Sequence, residues 1–191
     1  MDELELIEQS KLGRVDAFNQ LVLLYQTQVY NLALRMLSDA AAAEDIAQDV
    51  FISAYRNLRT FVAGNLRAWL LRITSNACRD YLRSARVRRS VSLDAMLENP
   101  SFAPTDSNEA PEDYTVRREL AGVIQNALFQ LPGDQRLAVV LVDVQGLTYE
   151  ESSEAMKVPV GTVKSRLNRA RSALRGLLAE QQELLPQQFR S

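Results

Sequence analysis

The residues best equipped for chemistry lie near the C-terminus. From Lys157 to Arg175 there are six cations (Lys157, Lys164, Arg166, Arg169, Arg171 and Arg175) and no acid. Thr162, Ser165 and Asn168 lie among them. Lysine, arginine and asparagine at helical spacing can read the edges of nucleic-acid bases and hold phosphate. Lys164, Asn168 and Arg171 fall at i, i+4, i+7 on one stripe, with Ser165 and Arg169 on the next. Val163, Leu167, Ala170 and Leu174 follow the opposite stripe and are expected to be buried. Arg166 and Arg171 are assigned to phosphate, which positions a helix without reading sequence. A basic helix of this kind must be presented by something. Thr148 and Glu151 have the spacing of a capping box for a shorter helix just before it. Ala155, Met156 and Val158 supply apolar contacts around a turn, and Pro159 opens the basic helix. The arrangement predicts a helix-turn-helix that enters a DNA groove. The plainer alternative is an amphipathic hairpin with a solvated basic face.

Other chemistries are poorly served. The 191-residue chain has no histidine, so no imidazole base, histidine triad or histidine metal site can be built from it. No Gly-rich phosphate loop appears, and we expect no catalytic residue, metal or cofactor. The one cysteine, Cys78, fits a reducing compartment, and no apolar run approaches membrane-spanning length. With an acidic N-terminus, Met1-Asp-Glu-Leu-Glu, the expected location is cytoplasmic. The net charge of −2 hides a segregation. Positions 61–89 carry seven arginines against Asp80 alone, whereas positions 90–116 carry six acids and no base. Two basic blocks around an acidic strip point to two nucleic-acid surfaces on two modules.

The elements can be read from periodicity. Few segments alternate with period two, and the chain reads as all-α. Phe18, Leu21, Val22, Tyr25, Val29, Leu32, Ala33 and Met36 mark one helix over about 14–37. Ser38 or Asp39 is placed to cap the next, whose buried stripe is Ala43, Ile46, Ala47, Val50, Phe51, Ala54 and Tyr55. A loop around Thr60–Asn65 leads to a basic helix over about 66–85, with Trp69 assigned to the core. Pro100, Pro104 and Pro111 with the acidic residues read as a flexible linker. Helical periodicity resumes near Val116 and gives about four helices. The expected architecture is two small helical domains, 1–89 and 116–191, joined by the linker 90–115.

Three patches, in order, carry a resemblance. They are Ala43-Glu-Asp-Ile-Ala-Gln-Asp-Val-Phe-Ile-Ser-Ala-Tyr-Arg56, Leu66-Arg-Ala-Trp-Leu-Leu-Arg-Ile-Thr-Ser-Asn-Ala-Cys-Arg-Asp-Tyr-Leu-Arg83, and Leu131-Pro-Gly-Asp-Gln-Arg136 with the helix-turn-helix residues. The chain resembles the extracytoplasmic-function group of bacterial RNA polymerase sigma factors. That resemblance implies a dissociable subunit that takes core RNA polymerase to promoter DNA and assists strand opening, for an envelope or environmental stress response. It also implies restraint by an anti-sigma factor, which could hold the chain near a membrane.

The resemblance assigns residues as well. Asp45, Gln48, Asp49 and Phe51 would meet the polymerase clamp, with Glu44 beside them. Asp45 and Asp49 are four apart and share a helix face; a solvated acidic face is the plain alternative. Phe61, Gly64 and Asn65 resemble a base-capture loop, supported by Asn76, Arg79 and Arg83, with Arg86 extending the basic surface. Val62 and Ala63 depart from relatives that place a charged or polar residue there. Thr162, Lys164, Ser165, Arg166, Asn168, Arg169 and Arg171 would meet the upstream promoter element. Two rival readings predict different behaviour. A simple DNA-binding regulator would bind duplex tightly without polymerase, and a helical enzyme acting on nucleic acid would show turnover.

Overall fold

A computed structural model describes residues 2–62, 64–91 and 111–180, with side chains for 2–62, 64–85 and 120–179. Among the described residues every regular element is helical, as the periodicity predicts. The first module comprises α1 (Glu3–Lys11), α2 (Val15–Leu37), α3 (Ala40–Asn57), a 3-10 turn (Leu58–Thr60) and α4 (Leu66–Val91). The second comprises α5 (Pro111–Gln130), α6 (Gly133–Val139) continuing into a π turn (Val140–Val144), α7 (Tyr149–Met156) and α8 (Val160–Glu180).

Local chemistry sets these boundaries. Ser38 ends α2 in the left-handed region (φ 54°), its N–H donating to the Leu34 carbonyl. Asp39 then caps α3 by accepting from the Ala42 N–H at 3.0 Å, the stop-and-start that the sequence suggests. Helix α1 was not expected. Asp2 caps it, and Leu6 and Ile7 are buried, each removal from water contributing about 1.5–3 kcal/mol. The Tyr25 hydroxyl donates to Glu3 at 2.5 Å and ties α1 to α2. Burial first, then this bond, raises the phenol's pKa above its ordinary value.

Helical residues reach into both ends of the segment 90–115 expected as linker. α4 runs to Val91 and α5 begins at Pro111, while residues 92–110 lie outside the described residues. Proline costs nothing in a helix's first turn. A proline that looks like linker by composition therefore also suits a helix start.

The two modules share one apolar cluster. It runs from Leu21, Val29, Leu32, Val50, Leu70 and Leu71 to Leu128, Leu137, Leu141, Met156, Val163 and Leu167. α4 packs against α2 and α3 as well as α7, and α5 also touches α2. The π turn, with Gln145 N–H donating to the Val140 carbonyl at 2.9 Å, buries Val140 and Leu141 and leaves Asp143 and Val144 exposed.

Candidate nucleic-acid interface

Helices α7 and α8 form the expected helix-turn-helix. Glu151 N–H donates to the Thr148 hydroxyl at 3.1 Å, and Thr148 N–H to the Glu151 carboxylate at 2.8 Å, closing the capping box. The backbone bond from Thr148 is the main cause that holds the Glu151 carboxyl below its usual pKa. Lys157 ends α7 in the left-handed region (φ 55°), and the Val158 N–H returns to the Ser153 carbonyl at 3.1 Å. The Pro159 carbonyl accepts from Thr162 and Val163 and starts α8.

Val163, Leu167 and Ala170 are buried and Leu174 half-buried, the stripe the sequence predicts. Lys164, Asn168 and Arg169 are exposed on the other side, and the Lys164 ammonium lies 5.2 Å from the Tyr149 ring centre. Thr162 and Ser165 are half-buried, and the Ser165 hydroxyl donates to its own helix at the Thr162 carbonyl. Arg166 and Arg171 are not open cations. Arg166 pairs with Asp134 at 2.7 Å, and Arg171 takes both oxygens of Asp143 at 2.6 and 3.0 Å. That fork, through its hydrogen bond first, raises the Arg171 pKa. The sequence reading missed Asp134 and Asp143, because partners far apart in the chain carry no periodic signal.

In the first module the loop before α4 differs from the expectation at Phe61. Its ring is 7% exposed, packed at 5.4 Å and 53° against Trp69, with the Lys11 ammonium 5.9 Å away. An aromatic in this tilted pair supports the loop from beneath and does not offer its face to a base in this state. Trp69 is part of that packing, in line with its assignment to the core. The loop's outer members are Val62, Gly64 and Asn65. Asn65 caps α4, its side-chain oxygen accepting from the Ala68 N–H at 3.1 Å, while its Nδ2 donates to Glu151 at 2.6 Å. Asn76 is half-buried and Arg83 exposed. Arg79 donates to the Met156 carbonyl at 3.0 Å, and desolvation lowers its pKa. The side chain of Arg86 lies outside the described residues, as do those of Arg88 and Arg89. Arg67, unassigned by sequence, bonds Gln28 and the Gln145 carbonyl.

On α3, Glu44, Asp45, Gln48 and Asp49 share the outward side of the helix, and all four are exposed. Phe51 is half-buried against the core, in line with its place in the apolar stripe, and so offers the clamp only part of its ring. A side chain at that register turns toward the helix's apolar stripe. Ile52 (42% exposed) and Tyr55 (39%) are the outward apolar residues beside the acids. An acidic stripe with an apolar edge suits docking to a basic partner helix.

Among the described residues no group of His, Cys, Asp or Glu could hold a metal ion, and no helix is long and apolar enough to cross a membrane. Cys78 is buried, and burial pushes its thiol up to about 12.

Comparison with known proteins matches both modules. Residues 21–88 match Sigma-70 region 2, and residues 121–174 match Sigma-70, region 4. The chain is 38% identical over 175 residues to the RNA polymerase sigma-H factor of Pseudomonas aeruginosa, covering 89% of this chain and 90% of that one. It is 37% identical over 180 residues to the ECF RNA polymerase sigma factor SigW of Bacillus subtilis, covering 91% and 95%. Among solved structures it resembles the sigma factor RpoE in complex with the anti-sigma factor NepR from Bartonella quintana. There the TM-score is 0.72 at 28% identity, over 85% of this chain and 96% of that one. It also resembles CnrH in complex with the cytosolic domain of CnrY, with a TM-score of 0.67 at 25% identity, over 94% and 97%. With a helix-turn-helix on one module and a basic helix beside an acidic stripe on the other, the chain belongs to the extracytoplasmic-function sigma factors of bacterial RNA polymerase, which direct promoter-specific transcription initiation.

Proposed function

We propose a division of labour within this activity. The first module, residues 1–89, docks on the polymerase clamp through Asp45, Gln48 and Asp49, with Ile52 as the apolar contact. Its α4 face, with Gly64, Asn65, Asn76, Arg79 and Arg83, takes the melted strand, extended by Arg86. The second module, residues 116–191, reads the upstream promoter element through Lys164, Asn168 and Arg169, with Thr162 and Ser165 at the entry of α8. Arg166 and Arg171 exchange their acidic partners for phosphate.

The chain performs no covalent step itself. It contributes binding free energy that favours the opened promoter, and so assists strand opening. The observation that carries the reading is α8, whose Lys164, Asn168 and Arg169 face outward while Val163, Leu167 and Ala170 anchor the opposite stripe. Both solved neighbours are in complex with a second protein or its domain, an anti-sigma factor in the first case. An anti-sigma factor holds this chain too, in the cytoplasm or at a membrane, until an envelope or environmental stress releases it.

In vitro transcription with core polymerase tests the assignment. Lys164→Ala and Arg169→Ala should each lower promoter-specific transcript while polymerase binding persists, a lost base contact costing about 1–3 kcal/mol. Asp45→Arg with Asp49→Arg should do the reverse and weaken the polymerase complex. Equal loss of polymerase affinity in the α8 variants would remove that helix from DNA reading.

A further inference from the structure

The outward stripe of α8 has an aromatic flank that belongs to α7. Tyr149 is the first residue of α7, directly after the capping residue Thr148, so the capping box fixes its backbone. Its side chain is half-buried and packs against the apolar cluster. A ring restrained in this way is a firm support for whatever lies on it.

The ring meets both ends of the stripe formed by Lys164, Asn168 and Arg171. The Lys164 ammonium stands 5.2 Å from its centre. Two turns further along α8, the Tyr149 hydroxyl acts after the larger effect of the Asp143 fork in favouring the charged form of Arg171. Periodicity within α8 gives no hint of this flank, because the ring comes from the preceding helix.

A lysine reads bases poorly when its side chain is unrestrained. Its ammonium is a compact point charge on a flexible four-carbon stem, and on DNA the nearest phosphate competes with any base edge. A ring face attracts the ammonium through its quadrupole and leaves N–H donors free on the side away from the ring. Restraint favours the one acceptor group within reach, and the base edge best suited to lysine is the O6/N7 pair of guanine.

We propose that Tyr149 is a positioning residue for base reading: its ring holds the Lys164 ammonium at the groove and so sets the preference for guanine at the base pair that Lys164 meets. The proposal rests on the assignment of α8 to the upstream promoter element, and it gives Tyr149 itself no contact with a base. Support from an exposed ring corresponds to a factor of about two to five in preference.

Polymerase holoenzyme carrying the full chain would be offered promoter duplexes randomised across the upstream element, and the bound fraction sequenced. Lys164→Ala identifies the base pair in question as the position where preference disappears. Tyr149→Leu should lower the preference at that same pair about two- to fivefold and leave the other positions as in wild type. Tyr149→Phe, which keeps the ring and loses the hydroxyl, should retain it. Pentafluorophenylalanine installed at position 149 keeps the ring's shape but takes the negative charge off its face. It should match Tyr149→Leu, and it carries the test if leucine disturbs α7. Adding Tyr149→Leu to Lys164→Ala should cause no further loss at that pair. An unchanged profile for both the leucine and the fluorinated variant overturns the proposal. So does a uniform flattening across the element, the sign of a weakened fold and not of a misplaced cation. Tyr149→Phe falling as far as Tyr149→Leu would move the role from ring to hydroxyl and overturn it as well. If Lys164→Ala alters no position, the assignment of Lys164 to a base fails first and the role of Tyr149 falls with it.

Discussion

Arg136 is the most informative residue to remove. It is 6% exposed, yet it serves three carbonyls: Met36 at 2.6 Å, Phe129 at 2.6 Å and Leu131 at 3.2 Å. Its guanidinium also lies 4.5 Å from the Phe129 ring centre. Desolvation lowers its pKa to about 10, so the charge is held against a real burial cost, although it stays protonated at neutral pH. Arg136→Met keeps most of the volume and strands the three acceptors. Hydrogen bonds from a charged donor contribute about 1.5–3 kcal/mol each, and relief of the buried charge returns part of that sum. We expect a net loss of about 3 kcal/mol. In urea, with a slope of about 2 kcal/mol/M for a chain of this size, the midpoint should fall by about 1.5 M. Arg136→Lys should recover less than half, because a compact ammonium cannot span carbonyls on both sides. Urea melts followed by helical dichroism read both numbers. A midpoint for Arg136→Met within about 0.3 M of wild type would show that desolvation cancels the bonds, and would refute the reasoning.

The same geometry sets three other outcomes. Thr148→Ala should lose about 1 kcal/mol of stability; the bond it deletes comes from the Glu151 N–H, and the Thr148 backbone N–H that mainly holds the Glu151 carboxyl below its usual pKa survives the change, so the loss should largely persist as pH falls, in melts repeated across pH. Asp143→Asn frees Arg171 and removes an anion beside the proposed DNA face, so duplex affinity should rise up to about fivefold, with a steeper salt dependence in anisotropy titrations, given the small worth of an exposed ion pair; weaker binding would instead make Asp143 the group that aims Arg171. Cys78, buried and with its thiol pushed up to about 12, should resist a maleimide in the native chain and react promptly in urea, as mass spectrometry can monitor.

How far the sequence could be read depends on how local each cause is. The capping box of Thr148 and Glu151, the stop at Ser38 and Asp39, and the buried stripe of α8 are set by residues within one or two turns, and all were legible. So was the outward acidic face of α3. The packing of Phe61 was not, because an aromatic has the same identity whether it lines a pocket or packs beneath a loop. α1 was not legible because a nine-residue helix with only Leu6 and Ile7 as buried apolar residues carries too little periodic signal. The fork between Arg171 and Asp143, and the reach of Gln125 and Arg136 across the modules, join residues 28 to 100 positions apart. No periodicity encodes such distances.

The π turn at Val140–Val144 has a consequence for insertions and deletions. A turn with an i to i+5 bond holds one residue more than an α-helical turn. The wide turn absorbs that residue, so the chain leaves it in the register that a regular helix one residue shorter would give. An extra residue held in a regular α-helix would instead rotate the downstream chain by about 100°, carrying Asp143 off Arg171 and Gln145 off Gln28, two contacts made by the same segment to different modules. The π turn therefore acts as slack: a chain one residue shorter at this point would close to regular α-helix and keep the alignment, whereas one residue longer would need a second wide turn to do the same.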